Sequence, residues 1–340
     1  LTQLPEKFID EAIEAISSWD NYAPTPLIKL NKLNDELKLK NIYYKDEDKR
    51  FELKSFKALG GAFAVYKIAS EKKNITVSTA TAGNHGRSVA WGAQRLGLKC
   101  KIFISEFVSE SRAEAMRNLD AEVIRVKGNY DNSLKECIEQ SNKNNWEIVQ
   151  DVSWEGYKEV PKLIMAGYTI MVKEIIDEIN KNSITHVFLQ AGVGGMAAAM
   201  IAGFAKLSEN IPQFIIIEPE NADCVFQSIK NNKPTTVDIK KETVMGGMSC
   251  GDVSSIAWEI LKNSANYCLT IPDEAISTTV ALLAEKHLSD EKIIAGECAV
   301  PGIIALIGSF NNKEYLDKLE LNKQSNVLLF GCEGLTDNAM

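Results

Sequence analysis

Short runs of β-branched and aromatic residues alternate along the chain with stretches whose apolar residues recur at helical spacing. The runs Asn41–Lys45, Ile75–Ala80, Cys100–Ser105, Ala121–Lys127, His186–Gln190, Phe214–Glu218 and Asn326–Phe330 predict strands. The stretches Ala62–Ser70, Gly86–Leu96, Glu110–Leu119, Leu163–Ile179 and Glu274–His287 predict helices. The polar segments Ser141–Asn145, Lys181–Ser183 and Asn231–Thr235 are predicted as loops. This alternation predicts an α/β chain with a largely parallel sheet and helices on both faces. No repeat and no composition break marks a domain boundary, so a second domain is expected as an insertion within the first. Ligands in open α/β sheets bind outside the carboxyl ends of the strands, which directs attention to the loops there.

Composition narrows the partners. With 38 Lys and Arg against 46 Asp and Glu, the net charge is −8, and no basic surplus exists to displace counterions from nucleic acid. No apolar stretch reaches the roughly 18–20 residues that span a bilayer. Leu1 to Asp10 lacks the pattern of a signal peptide, so the expected location is cytoplasmic. The seven cysteines are scattered without a C-x-x-C pair and the three histidines lie far apart, so no metal site is expected.

Four strand-to-helix junctions carry unusual residues. In Ser55-Phe56-Lys57-Ala58-Leu59-Gly60-Gly61 a lysine among apolar neighbours opens a helix, with a glycine pair that allows close approach. Apolar surroundings lower a lysine's pKa, and the neutral amine attacks an aldehyde; the plainer alternative is a helix-start lysine reaching water. In Ser78–Arg87, Gly83-Asn84-His85-Gly86 begins a helix whose exposed N–H groups can bind an anion such as a carboxylate, or it is simply a capped turn. In the third junction, Gly192, Val193, Gly194, Gly195 and Met196 follow the strand His186–Leu189 and precede the small-residue helix Ala197–Ala202. That loop lacks the Lys-Ser/Thr ending of a nucleotide loop and is too tight for a dinucleotide fingerprint; a phosphate monoester held by backbone N–H groups fits. The fourth, Leu329–Gly334, brings the thiol of Cys332 to a strand's carboxyl end, as a polar partner or as a buried small residue.

Taken in this order, the four loops resemble those of the fold-type II pyridoxal phosphate (PLP) enzymes, the tryptophan-synthase-β-like family. The resemblance implies two open twisted sheets with helices on both faces. Residues 1–63 and 171–340 would form a large cofactor domain, and 64–170 a smaller inserted domain that closes on substrate. It also implies a homodimer. Lys57 would carry PLP as a Schiff base, next to Phe56, and Asn84 would contact the cofactor's 3-oxygen. Gly192 to Met196 would take the phosphate and Cys332 the pyridine nitrogen. Thr81, Ala82, Gly83 and His85 would bind the substrate. The neutral Cys332, and His85 where family synthases have Thr, favour elimination over replacement.

Within the family the chain is similar to diaminopropionate ammonia-lyase. Tyr22–Leu27, Lys45-Asp46-Glu47, Gln150-Asp151, Trp154-Glu155-Gly156-Tyr157 and Ser249-Cys250-Gly251 carry this likeness beyond the four loops. One residue departs from it. The lyase has Asp before Gly-Asn-His-Gly, a base for the D-isomer, where this chain has Ala82. Asp151 matches the carboxylate associated with the L-isomer. The resemblance therefore implies elimination of a small L-amino acid, 2,3-diaminopropionate, to pyruvate and ammonia, with Lys57 and Asp151 as catalytic residues. A threonine or serine dehydratase, which shares the alanine, is the alternative; a catalytically idle PLP-binding protein is the third reading.

Overall fold

The computed structural model describes residues 4–179 and 183–336. Lys181 and Asn182 of the loop expected at Lys181–Ser183 lie outside the described residues. Strands run in chain order as β1 (Leu27–Lys29), β2 (Asn41–Asp46), β3 (Thr76–Ala80), β4 (Lys99–Ser105), β5 (Glu122–Val126), β6 (Glu147–Ile148), β7 (His186–Gln190), β8 (Gln213–Pro219), β9 (Tyr267–Ile271) and β10 (Asn326–Gly331).

The chain divides into two compact units. The first comprises chiefly Ala23–Lys49 and Met171–Leu335 and holds a six-stranded sheet in the order β1-β2-β10-β7-β8-β9. All neighbours are parallel except β1, which runs antiparallel to β2 at the edge. β7 and β10 are buried along their whole length, as central strands covered on both faces must be, and both read as almost unbroken apolar runs. The second unit comprises chiefly Glu6–Tyr22 and Arg50–Ile170. It thus takes in 6–22 and 50–63 besides the 64–170 expected from the resemblance. Its four parallel strands lie in the order β5-β4-β3-β6. Edge strand β5 is half-buried except at Glu122 and Arg125, exposed charges that discourage further pairing.

All seven expected strands form, within two residues of the expected ends. β1 and β6 were missed because three and two residues show no period. β9 was missed although it has five residues, four of them only half-buried. Two expectations are corrected. Ser141–Asn145 is not a loop up to Asn144 but the last turn of helix Tyr130–Asn144, which opens with a capping box between Asn129 and Asn132. Its polar residues form the exposed face, while Ser141 is buried, with its Oγ 2.7 Å from the Ser78 Oγ. Leu163–Ile179 is two helices, Glu159–Tyr168 and Ile170–Glu178. The break falls at Thr169, whose N–H and Oγ1 both donate to the Ala166 carbonyl, at 3.1 and 2.6 Å.

Candidate active site

Lys57 is the first residue of helix Lys57–Glu71 in the second unit, so the helix starts earlier than its apolar period indicated. Ser55, buried, accepts the Lys57 backbone N–H at 3.3 Å, and Phe56 packs edge-on against Tyr168 at 4.7 Å. The glycine pair behind Lys57 serves helix packing. Gly60 lies against the Ile164 carbonyl and the Tyr168 ring, and Gly61 against Ser88, with no room for a Cβ at either position. The close contact of these helices fixes where the chain delivers Lys57.

The lysine does not sit in apolar surroundings alone. Its Nζ donates to Asp151 Oδ2 at 2.8 Å, across 94 residues of chain. The two side chains are 27% and 17% exposed, shielded yet within reach of water. Burial acts to raise the Asp151 pKa, but the cationic forms of His85 and Lys57 and the Lys57 hydrogen bond outweigh it and hold the carboxyl well below its usual range. Burial also lowers the His85 pKa. Asp151 opposes that lowering, so the carboxyl has two basic neighbours, Lys57 and His85, on one oxygen.

His85 is anchored by one ring nitrogen. Its Nε2 lies 2.8 Å from the Val149 carbonyl, an acceptor only, so in the neutral ring this nitrogen carries the hydrogen. The buried Nδ1 has no hydrogen-bond partner and stands 3.7 Å from Asp151 Oδ2. Thr81 caps the same loop: its Oγ1 accepts the N–H groups of Gly83 and Gly86 at 3.0 and 3.1 Å. Gly83 precedes helix Asn84–Arg95, which Asn84 opens. Ala82 is exposed, and its carbonyl accepts from Arg112 Nη1 at 3.3 Å. Gln150, next to Asp151, is buried and clamps β3. Its Oε1 accepts from Thr79 Oγ1 and the Ala80 N–H, and its Nε2 donates to the Ala80 carbonyl and the Tyr130 hydroxyl.

The glycine loop and Cys332 belong to the first unit. Between β7 and helix Gly195–Leu207, Gly194 adopts φ +90°, a left-handed conformation that favours glycine. A Cβ on Gly192 would meet the Gly247 carbonyl oxygen at 2.8 Å and Cys250 Sγ at 3.0 Å, whereas Gly195 faces open space. The Val193 carbonyl accepts the Ser254 N–H at 2.9 Å, and Met196 is the first of nine consecutive buried residues in the helix. Gln190 Nε2 donates to the carbonyls of Cys298 and Phe330 at 2.8 and 2.7 Å, tying the ends of β7 and β10 together. Cys332 Sγ donates to the Cys298 carbonyl at 3.1 Å, and the adjacent Glu333 accepts the Cys298 N–H at 3.2 Å.

This cradle fits a phosphate monoester. Backbone packs closely behind Gly192, the side at Gly195 is open, and the N–H groups and dipole of a 13-residue helix begin there. Within the second unit, Lys57, Asp151 and His85 come together around one carboxylate oxygen. Arg112 and the clamp made by Gln150 escaped sequence reasoning. Each acts across strands or from a helix onto a loop, and neither lies in a local pattern that announces it.

Comparison with known proteins agrees with this geometry. Residues 19–332 match the family profile of pyridoxal-phosphate dependent enzymes. The chain is 35% identical over 340 residues to diaminopropionate ammonia-lyase of Escherichia coli (strain K12), covering 93% of this chain and 85% of that one. To the enzyme of the same name from Salmonella typhimurium it is 35% identical over 353 residues, covering 93% and 86%. The crystal structure of the Escherichia coli enzyme in complex with D-serine matches with a TM-score of 0.91 at 33% identity, over 98% of this chain and 90% of that one. With the paired Lys57 and Asp151 in one unit and a phosphate cradle in the other, the chain belongs to the fold-type II pyridoxal-phosphate-dependent enzymes, in the diaminopropionate ammonia-lyase family.

Proposed function

We propose that the protein eliminates the β-substituent of a small L-amino acid, 2,3-diaminopropionate in the first instance, to release pyruvate and ammonia. The observation that carries this reading is Asp151 paired with Lys57 at 2.8 Å in a chain whose other expected carboxylate position is Ala82. Of the two expected carboxylates one is present, and it is the one associated with the L-isomer.

Bound PLP supplies an electron sink that makes a substrate's α-hydrogen acidic. In this reading Lys57 Nζ is the amine that carries the cofactor, and the backbone of Gly192, Val193, Gly194, Gly195 and Met196 holds its phosphate. Phe56 flanks Lys57, Asn84 would meet the 3-oxygen, and Cys332 would meet the pyridine nitrogen by turning its thiol hydrogen there from the Cys298 carbonyl. Thr81 shapes the loop that receives the substrate carboxylate, together with Ala82, Gly83 and His85. Asp151 is held ionised against burial by its basic neighbours His85 and Lys57. When Lys57 is engaged elsewhere part of that balance is lost, and the carboxylate becomes a stronger base for the α-proton. The unpartnered Nδ1 of His85, 3.7 Å away, can then accept the proton and clear Asp151 Oδ2 for the next turnover. The first unit would serve as cofactor domain and the second as substrate domain of a cytoplasmic homodimer.

The test is release of 2-oxo acid from L- and D-2,3-diaminopropionate, L-serine and L-threonine, together with borohydride trapping of PLP on Lys57. Fastest turnover is expected on L-diaminopropionate. Rapid turnover of the D-isomer would overturn the reading of Ala82, and absence of a trapped adduct on Lys57 would remove its role. Ala82 also favours a second reading, a threonine or serine dehydratase. A preference for threonine by more than about tenfold, about 1.4 kcal/mol of transition-state binding, would establish it instead.

A further inference from the structure

We propose that Tyr157 is a positioning residue that holds Asp151 in place opposite Lys57, by standing in for a missing strand at the edge of the smaller sheet. The inference rests on the reading of Asp151 as the catalytic base. β6 is the edge strand, and it pairs with β3 through only Glu147 and Ile148. Beyond it the chain must remain straight for three more residues to reach Asp151. On the inner side this is achieved by the Val149 N–H, which donates to the Ser78 carbonyl at 2.8 Å, and by the Gln150 side chain on Ala80. Among the described residues no strand covers the outer side, and its polar backbone groups need other partners.

The phenol of Tyr157 supplies them. Its hydroxyl donates to the Ile148 carbonyl at 2.8 Å and accepts the Gln150 N–H at 2.9 Å. One oxygen thus bridges two outward backbone groups two residues apart, the pair that one residue of a neighbouring parallel strand would otherwise take. The phenol hydrogen is shared with nothing else, so the polarity of the bridge is fixed. Burial pushes the Tyr157 pKa well up, which keeps that hydrogen in place at any working pH.

The ring itself is held from behind. Trp154 stacks on Tyr157 at 4.0 Å with 11° between the planes, and their backbones pair in both directions, at 3.3 and 3.0 Å. Gly156, at φ +81°, makes the tight turn that lets the chain come back on itself. The segment Trp154-Glu155-Gly156-Tyr157 is thus a small hairpin whose closing residue, Tyr157, clamps the backbone immediately before Asp151. Catalytic hydrogen bonds depend on placement within a few tenths of an ångström, so loosening this clamp lengthens the Lys57–Asp151 contact without touching either residue.

The test is Tyr157→Phe in the holoenzyme, which keeps the stack and removes both hydrogen bonds. kcat on the L-substrate is expected to fall about tenfold with KM little changed, and the acid limb of the pH profile to move upward as Asp151 loses contact with Lys57. Two readouts do not depend on turnover. Hydrogen exchange at the Gln150 amide should speed by at least about tenfold, roughly one lost hydrogen bond. The Asp151 carboxyl, followed by 13C NMR, should titrate at higher pH than in the parent. Unchanged exchange and unchanged titration would overturn the proposal. Should Y157F fail to fold, difluorotyrosine at position 157 keeps the fold and weakens the hydroxyl as an acceptor, and the Gln150 amide must still exchange faster. If D151N retains full activity, the role of Asp151 as base falls, while exchange and titration still decide whether Tyr157 positions it.

Discussion

Replacing Asp151 by Asn tests the chemistry most directly, because Asn keeps the shape and one hydrogen-bond acceptor while removing the charge. A positioned general base contributes about 10²–10⁴ in rate, or about 2.7–5.4 kcal/mol. The geometry sets the loss toward the lower part of that range. Lys57 Nζ lies 2.8 Å from Asp151 Oδ2 and can itself serve as a base of last resort once its amine is released. A fall in kcat of about 10²–10³ on the L-substrate is expected, with the visible absorbance of lysine-bound PLP retained. Stability changes far less. Breaking a fully buried ion pair costs about 3–5 kcal/mol and an exposed one under about 1. At 27% and 17% exposure this pair lies between, at about 1–2 kcal/mol. The native carboxyl pKa is depressed, so this stabilisation is complete above the unfolded value of about 3.9 and disappears as pH falls through the native one. Urea midpoints of parent and variant should therefore differ at pH 7 and converge in acid. A kcat within about threefold of the parent would refute the assignment of Asp151 as base, since that difference, about 0.65 kcal/mol, is smaller than any general-base contribution.

Further outcomes are expected elsewhere. Ala82→Asp should create turnover of D-diaminopropionate, but by about tenfold less than a full base contribution, because Arg112, already on the Ala82 carbonyl, would pair with the new carboxylate; chiral substrate assays check it. Gly192→Ala forces the Gly247 carbonyl or Cys250 away from the new Cβ, and PLP affinity, measured by fluorescence titration, should drop about tenfold or more. Glu218 accepts the Val225 and Phe226 N–H groups, yet burial pushes its carboxyl up to about 8. The native state then holds a proton that the unfolded chain releases near 4.5, so stability should decline as pH rises from about 4.5 to 8. In Glu218→Gln that slope should flatten in denaturant titrations at several pH values.

How far the sequence reaches is plain from particular elements. β7, the Gly192–Gly195 loop and the small-residue helix after it were legible because strand period, glycine conformations and helix start are encoded within about twenty consecutive residues. The same holds for Lys57 at its helix start and for Gly83 before Asn84. Polar composition misled at Ser141–Asn145, since an exposed helix face and a loop share the same residues, and β6 is too short to show a period.

Lys57 shows where local reading ends. Its neighbours in sequence are apolar, which predicted a desolvated amine, but its neighbour in space is the carboxylate of Asp151, 94 residues on. That contact depends on β6 lying beside β3, on the helix packing at Gly60 and Gly61, and on hydrogen bonds from Gln150 and Tyr157 that run across strands. Residue identity and local spacing therefore determined which groups are present and the family to which the chain belongs. Only the tertiary structure decided which of them touch, because charge and hydrogen-bond energies depend on distances of a few ångströms that chain spacing does not specify.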